Sequence, residues 1–267
     1  MNEPTVCAVM LTANRPELAR RAVECFRAQT YPAKRLLILD SGKNMEPDLD
    51  NEDRSEFWVP APTGLTIGAL RNEAAAFWTE YPIIVHWDDD DTSHPNRIAE
   101  QVALLQSSGA DCVGYNQMLF WDQTKAMIRV NPSRRGPDGM GALGTVESIG
   151  EAWLYRNPNP GYTLGTSLCY WRKTWERKPF PAANVGEDLL FCTGLNCVGI
   201  TSMPVATFDI GKNGDPTNDP KVQPRMIARI HAGNTSTAYE PAKLAKNSEW
   251  RRVPEWDAHC RSVMEAA

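Results

Sequence analysis

Four consecutive aspartates, Asp88, Asp89, Asp90 and Asp91, follow directly on the apolar run IIVHW at 83–87, and Pro95 stands just beyond them. A short apolar run with polar neighbours reads as a buried strand. Proline opens a helix at no cost, because the first helical N–H has no partner to lose. Strand, acidic run and helix start therefore come within one short stretch. Like charges crowded at the end of a buried strand repel one another, and a bound cation offsets that repulsion. Carboxylate oxygens with room for water suit Mg²⁺ or Mn²⁺, which share their shells with substrate phosphates. The plainer reading is a solvated acidic turn. The strand before the run and the helix start after it favour the cation.

The same alternation runs through the first half of the chain. Residues 6–11 read as a strand, and Pro16 starts a helix with Leu18, Ala22, Cys25 and Phe26 on one face. Residues 36–39 form a second strand that ends on Asp40-Ser41-Gly42. Ile67, Leu70, Ala74, Phe77 and Trp78 mark another amphipathic helix, and Pro95 starts the next with Ile98, Val102 and Leu105 inward. Strands alternating with helices imply an α/β fold whose parallel sheet is covered on both faces. Ligands of such sheets bind beyond the strands' carboxyl ends, where Asp40 and the aspartate run both fall.

The second half is less regular. Residues 112–121 and 126–130 read as a strand pair around Asp122-Gln123, and 131–150 as a mobile loop rich in Gly, Pro and Arg. Residues 166–171 read as a strand and 189–195 as part of a helix. The polar stretch 211–225, GKNGDPTNDPKVQPR, has the length of a lid or binding loop. Past about residue 238 the chain is charged and carries Trp250 and Trp256, as a partly helical appendage would. The expected division is a domain at 1–237 and an appendage at 238–267, the domain having a nucleotide half (1–110) and an acceptor half (111–237).

Composition excludes little but narrows the setting. A net charge of −5 gives no support to a dedicated nucleic-acid binder. The seven cysteines are odd in number, scattered and without a CxxC pair, so buried reduced thiols and a cytoplasmic setting are expected. No signal-peptide pattern is visible, and no run approaches the roughly 20 apolar residues that span a bilayer. A soluble protein is the expectation.

Several stretches, in order, resemble family 2 glycosyltransferases, which have the GT-A fold. IIVHWDDDDTSHPNRIAEQVALL is similar to their DxD region, and VMLTANRPELARRAVECFRAQTYP to their first strand and helix. LLILDSG resembles the second strand with its base-contacting aspartate, and GALRNEAAA the Gly-x-x-Arg-Asn helix. GTSLCYWRKTW and VGEDLLF resemble the acceptor-side strand and Glu-Asp motif, and IHAGNTS the late histidine segment. The likeness extends over about residues 5 to 236. It implies a Rossmann-like, mostly parallel central sheet flanked by helices, with a smaller β region on the acceptor side.

The resemblance also implies roles. Thr12, Asn14 and Arg15 would line the nucleotide pocket, and Asp40 would accept hydrogen bonds from the base, uracil suiting it best. A turn cap before Gly42 is the other use for Asp40. Arg71 would put a fixed cation near the diphosphate or pair with a nearby aspartate. Asp88 and Asp89 would contact the nucleotide-sugar, and Asp90 and His231 would hold the metal. Asp89 and Asp91 leave the register open by one. A carboxylate with a neutral imidazole suits Mn²⁺ better than Mg²⁺. Asp188 would be the general base, with Glu187 beside it touching the acceptor or holding the helix. Helix capping is the alternative for both acids.

The implied reaction is an inverting, metal-dependent transfer of a sugar from a nucleotide-sugar, a UDP-sugar by preference, to an acceptor hydroxyl. The acceptor is left open between an envelope glycan, a protein side chain, a small molecule and a modified nucleobase in DNA. Arg134 and Arg135 could touch a phosphate backbone, and Trp153, Tyr155, Tyr162 and Trp171 could stack on sugars or pack in the core. Two rivals are a nucleotidyltransferase and a nonenzymatic nucleotide- or carbohydrate-binding protein of the same fold. The first would need a Gly-rich phosphate loop where the chain has Thr12-Ala13-Asn14-Arg15-Pro16.

Overall fold

The computed structural model describes residues 3–43, 55–124, 126–135, 142–148, 150–203, 223–233 and 249–265. The first half supplies strands β1 (Val6–Thr12), β2 (Lys34–Asp40), β3 (Glu56–Pro60), β4 (Ile83–His86) and β5 (Thr92–Ser93). Between them lie helices α1 (Pro16–Arg27), α2 (Ile67–Phe77) and α3 (Arg97–Ser108). The second half supplies β6 (Cys112–Asp122), β7 (Ala126–Arg135), β8 (Ala142–Ser148), β9 (Glu151–Arg156) and β10 (Cys169–Trp171). It continues through helices α4 (Arg172–Arg177) and α5 (Glu187–Cys192) to β11 (Cys197–Thr201), β12 (Met226–Ile230), β13 (Trp250–Arg252) and α6 (Asp257–Met264).

One sheet dominates, with strand order β13-β9-β6-β10-β4-β1-β2-β3 and with β11, β12 and β5 attached beside β6. Strands β3, β2, β1 and β4 run parallel, which is the α/β half expected from the alternation. Their order turns back at β1, so a crevice opens between the carboxyl ends of β1 and β4. Beyond β4 the antiparallel β10 carries the sheet into the second half. Helices on both faces bury the sheet's apolar side chains in two clusters, one under α1 and α3 and one under α2 and α5.

The helices form for local reasons. α1 begins on Pro16 and buries Ala19, Ala22, Val23 and Phe26, a stripe at helical spacing, while Leu18 and Cys25 lie at its border. Thr66 caps α2, its hydroxyl accepting from the Ala69 N–H at 3.3 Å. The buried face of α2 holds Gly68, Leu70, Arg71, Ala74 and Ala75, whereas Phe77 is exposed. Polar Arg71 thus takes a place in the interior that the apolar pattern had given to Ile67 and Phe77. α3 starts at Arg97, two residues past Pro95, and ends at Gly109, whose φ of 66° suits glycine.

Three expectations for the second half change. β6 does not pair with 126–130; its antiparallel partner is β9. Residues 126–135 pair instead with 142–148 in a separate two-stranded sheet, so much of the expected loop is strand. Pro132 explains the misreading: its register lies at the irregularity between Val130 and Arg135, and a bulged edge strand tolerates proline. The strand expected at 166–171 is a single helical turn (Gly165–Ser167) followed by the short β10. The polar stretch read as a lid or binding loop falls outside the described residues over 211–222, as do the side chains of Arg134 and Arg135.

Residues 250–264 pack on the main sheet. β13 pairs with β9, and Trp256, Cys260 and Met264 are buried against Leu119, Trp121 and Ile227. Of the aromatics considered for sugar stacking, Trp153 and Tyr155 are core residues, with Tyr162 packed against them. Trp171 packs against the cluster under α1 and α3.

Candidate active site

The aspartate run leaves β4 at the crevice, one residue past Trp87, whose N–H is held by the Val9 carbonyl of β1 at 2.9 Å. Asp89 turns back toward β1. It accepts from the Thr12 hydroxyl at 2.6 Å and pairs with Arg15 at 3.0 Å. Arg15 also reaches Asp90 at 3.1 Å. Asp91 is tied down by the Thr166 hydroxyl and by the Arg229 backbone N–H at 3.1 Å. Carboxylate oxygens of Asp88, Asp90 and Asp91 lie within 4.8 Å of one another.

β12 brings His231 to the run from far along the sequence. It pairs antiparallel with β5 just beyond the aspartates and parallel with β6, so the residue after Ile230 meets Asp90. His231 Nε2 lies 3.0 Å from Asp90 Oδ2 and 3.3 Å from Arg15 Nη1. The Gly233 N–H donates to His231 Nδ1 at 3.0 Å. The Nδ1 lone pair is thereby used, so a neutral ring carries its proton on Nε2 and donates it to Asp90. A neutral ring that held a metal through Nε2 would carry its proton on Nδ1 instead, and the Gly233 N–H would have to turn away. Carboxylates plus one imidazole remain a donor set that fits Mn²⁺.

Crowding leaves its mark on protonation. Burial pushes the Asp89 carboxyl up to about 7, and Asp90 adds to the shift while Arg15 and Thr12 oppose it. Burial with Asp90 and Asp88 also raises Asp91 well above the usual carboxylate range. A carboxylate whose pKa rises on folding favours the folded state at low pH and loses that contribution as pH climbs through the folded value. In chelator, the Tm difference between Asp89→Asn and the parent should therefore shift in the variant's favour as pH rises from about 4 to about 7. A difference that stays flat across that window would show that Asp89 titrates as an ordinary carboxyl.

On the other flank, Arg71 collects the second group of acids. Its guanidinium pairs with Glu187 at 3.4 Å and lies 4.0 Å from Asp88. Glu187 is buried, and burial raises its carboxyl while Arg71 opposes the rise. Arg71 Nη1 also lies 2.7 Å from His86 Nδ1, which is 2.6 Å from the Gly165 carbonyl. Burial and Arg71 push His86 far below its usual range, so the ring is neutral and Nδ1 serves one of these two partners at a time. Asp188 opens α5 next to Glu187 and lies against Gly165: a Cβ on that glycine would meet Asp188 Oδ2 at 2.1 Å. Its Oδ1 accepts from the Leu189 N–H at 2.8 Å.

Asp40 ends β2 and is buried. Its carboxylate accepts from the Gly42 N–H at 2.6 Å and from Trp58 Nε1 at 3.3 Å, so it has the turn-cap role, with lone pairs left for a ligand. Asn14 adopts a φ of 56°, a conformation asparagine tolerates, and accepts from the Lys43 N–H at 2.9 Å. Thr12, Arg15, Asp89, Asp90 and His231 thus form one connected group, and Arg71, Asp88, Glu187 and His86 another. Asn14 and Asp40 line the adjoining turn. A cavity of about 310 Å³ lies on the α1 side of the run, between Arg21, Asp91 and Arg229, away from Glu187 and Asp188.

Sequence reasoning missed several supports. Arg97, almost fully buried, donates to the carbonyls of His86 at 2.8 Å and Thr166 at 3.2 Å and stacks over Trp87. It fastens the end of β4 to the turn before β10. An arginine in the first turn of α3, where the helix dipole disfavours cations, was the available signal. Arg229 donates to the Asp90 carbonyl at 3.2 Å and the Met264 carbonyl at 2.6 Å, and no motif marked it.

A parallel sheet that turns back at its first strand, with an acidic run at the crevice, is a Rossmann-like α/β architecture with its ligand crevice at the switch point. The chain belongs to glycosyl transferase family 2, whose family model matches residues 7–157. No curated protein matches the sequence. Among solved structures, S. aureus TarS 1–349 in complex with UDP-GlcNAc is similar at a TM-score of 0.54 and 13% identity, over 97% of this chain and 70% of that one. A mannosyltransferase from Pyrobaculum calidifontis, in complex with GDP-Man and Mn²⁺, gives 0.52 and 14% over 100% of this chain and 71% of that one. GalNAc-T7 with UDP, GalNAc and Mn²⁺ gives 0.56 and 11%, over 87% and 45%. Against two other TarS structures the chain spans 58% and 37% of their length. These likenesses establish the GT-A fold. No helix among the described residues is long and apolar enough to cross a membrane.

Proposed function

We propose that the protein transfers a sugar from a nucleotide-sugar to an acceptor hydroxyl with inversion, using Asp188 as general base. The observation that carries this reading is the bridge made by Arg71, which joins Glu187 of the acidic pair to the first aspartate of the run. Asp88 and Glu187, the acids proposed for the donor and acceptor sides and 99 positions apart, both lie beside one guanidinium.

Thr12, Asn14, Arg15 and Asp40 are proposed to hold the nucleotide, with Asp88 and Asp89 nearer the sugar. Asp90 and His231 would hold a divalent cation, which would supply charge to offset the leaving diphosphate. Arg15 is placed to offset the same charge. Asp188 takes the proton of the acceptor hydroxyl as its oxygen bonds to the anomeric carbon. The electron pair of the breaking bond leaves with the nucleoside diphosphate. Glu187, held by Arg71, fixes the start of α5 and so the place of Asp188. Similar folds are complexed with both UDP and GDP-Man, so the fold leaves the base open, and Asp40 is the reason to prefer uracil.

The test is calorimetric titration with UDP, GDP and dTDP, with and without Mn²⁺, repeated in Asp90→Ala. One nucleotide should bind far more tightly with Mn²⁺, and the variant should lose that gain. If none binds under any condition, the reading fails. Hydrolysis of the donor without acceptor then separates an enzyme from a nonenzymatic binder.

A further inference from the structure

Cys112, Cys192 and Cys197 come from three elements: the first residue of β6, the last of α5 and the first of β11. Their sulfurs lie within 4.8 Å of one another. The register explains two of them, because β6 and β11 are parallel neighbours with Cys112 opposite Cys197. The end of α5 then lays Cys192 onto the pair. The trio sits just under the surface, with Cys112 fully buried and Cys192 and Cys197 each 8% exposed. A buried cysteine ordinarily packs as a small apolar residue, as Cys7, Cys169 and Cys260 do here. Apolar packing alone gives no reason for three sulfurs to converge. The Thr163 hydroxyl stands 3.3 Å from the Cys192 sulfur.

We infer that Cys112, Cys192 and Cys197 form a three-sulfur site for one thiophilic cation of the Zn²⁺ or Cd²⁺ class, separate from the aspartate run. Sulfurs held about 2.3 Å from one Zn²⁺ lie no more than about 4.6 Å apart, so small side-chain rotations close the site. An all-sulfur set selects soft ions over the hard ions that carboxylates favour. The Thr163 hydroxyl or a water fills a fourth position. Binding exchanges thiol protons for the ion: S–H bonds give way to S–metal bonds, and the protons pass to solvent, with no change of oxidation state. Because Cys192 closes the helix that Glu187 and Asp188 open, the ion anchors the far end of that helix.

The experiment titrates the reduced, metal-free full chain with Cd²⁺ and follows sulfur-to-metal charge-transfer absorption. One equivalent should saturate the band in the parent protein and in Asp90→Ala. Cys197→Ser should need at least about tenfold more Cd²⁺, since a direct ligand matters no less than the outer-shell partners whose loss costs roughly 10–100-fold. No band in the parent overturns the inference, and so does an unchanged titration in Cys197→Ser. If Cys197→Ser fails to fold, X-ray absorption on the Cd²⁺-loaded parent decides: a shell of about three sulfurs supports the site, and an oxygen-dominated shell overturns it.

Discussion

Replacing Asp188 by asparagine should slow glycosyl transfer by about 10²–10⁴-fold while leaving nucleotide affinity unchanged. The amide has the carboxylate's shape, so its fit against Gly165 and its bond from the Leu189 N–H survive. What it lacks is a lone pair basic enough to accept the acceptor's proton. The loss should fall on kcat, because the proton moves only as the new bond forms. Retention of full activity in Asp188→Asn would remove this residue from the role of base. A matching loss of nucleotide binding would instead mark it as a donor contact.

Gly165→Ala should produce a comparable deficit from a residue with no chemistry of its own. A Cβ there would stand 2.1 Å from Asp188 Oδ2 and 2.7 Å from Asp188 Cβ, so the aspartate or the start of α5 has to move. A displacement of about 1 Å at a reacting group can cost roughly 10²-fold in rate. Nucleotide binding at the far side of the run should persist, and calorimetry on the same preparation checks it and also reports folding. Normal kcat in Gly165→Ala would mean that Asp188 is free to relocate without loss, which a positioned base is not.

The legible parts of this protein were those written in consecutive residues. The β1, β2 and β4 strands, the Pro16 helix start and the acidic run follow from local periodicity and proline chemistry, and the structure has them close to the expected bounds. Long-range pairing was not legible. Nothing local tells residues 112–122 to choose 151–156 over 126–130 as a partner, and Pro132 concealed a bulged edge strand. Arg71 stood in a recognisable motif, but its bridge to Glu187 depends on how α2 packs against α5. Buried arginines such as Arg97 and Arg229 are harder still, because burial reverses the usual preference of that side chain. The three cysteines looked scattered for the same reason: two are brought together by strand register and the third by a helix end.

Arg15 has a further consequence. Its guanidinium already lies against Asp89 and Asp90 and within 3.3 Å of His231. In the proposed site, a divalent ion approaching Asp90 would compete with this built-in cation, whereas a diphosphate would offer Arg15 another place to put its charge. Nucleotide and ion would then assist each other through a shared rival. Linkage requires the assistance to be mutual: whatever factor the nucleotide gains from Mn²⁺, the ion gains from the nucleotide. On the proposed roles, the protein should stay poorly loaded with either component alone and fill cooperatively when both are present.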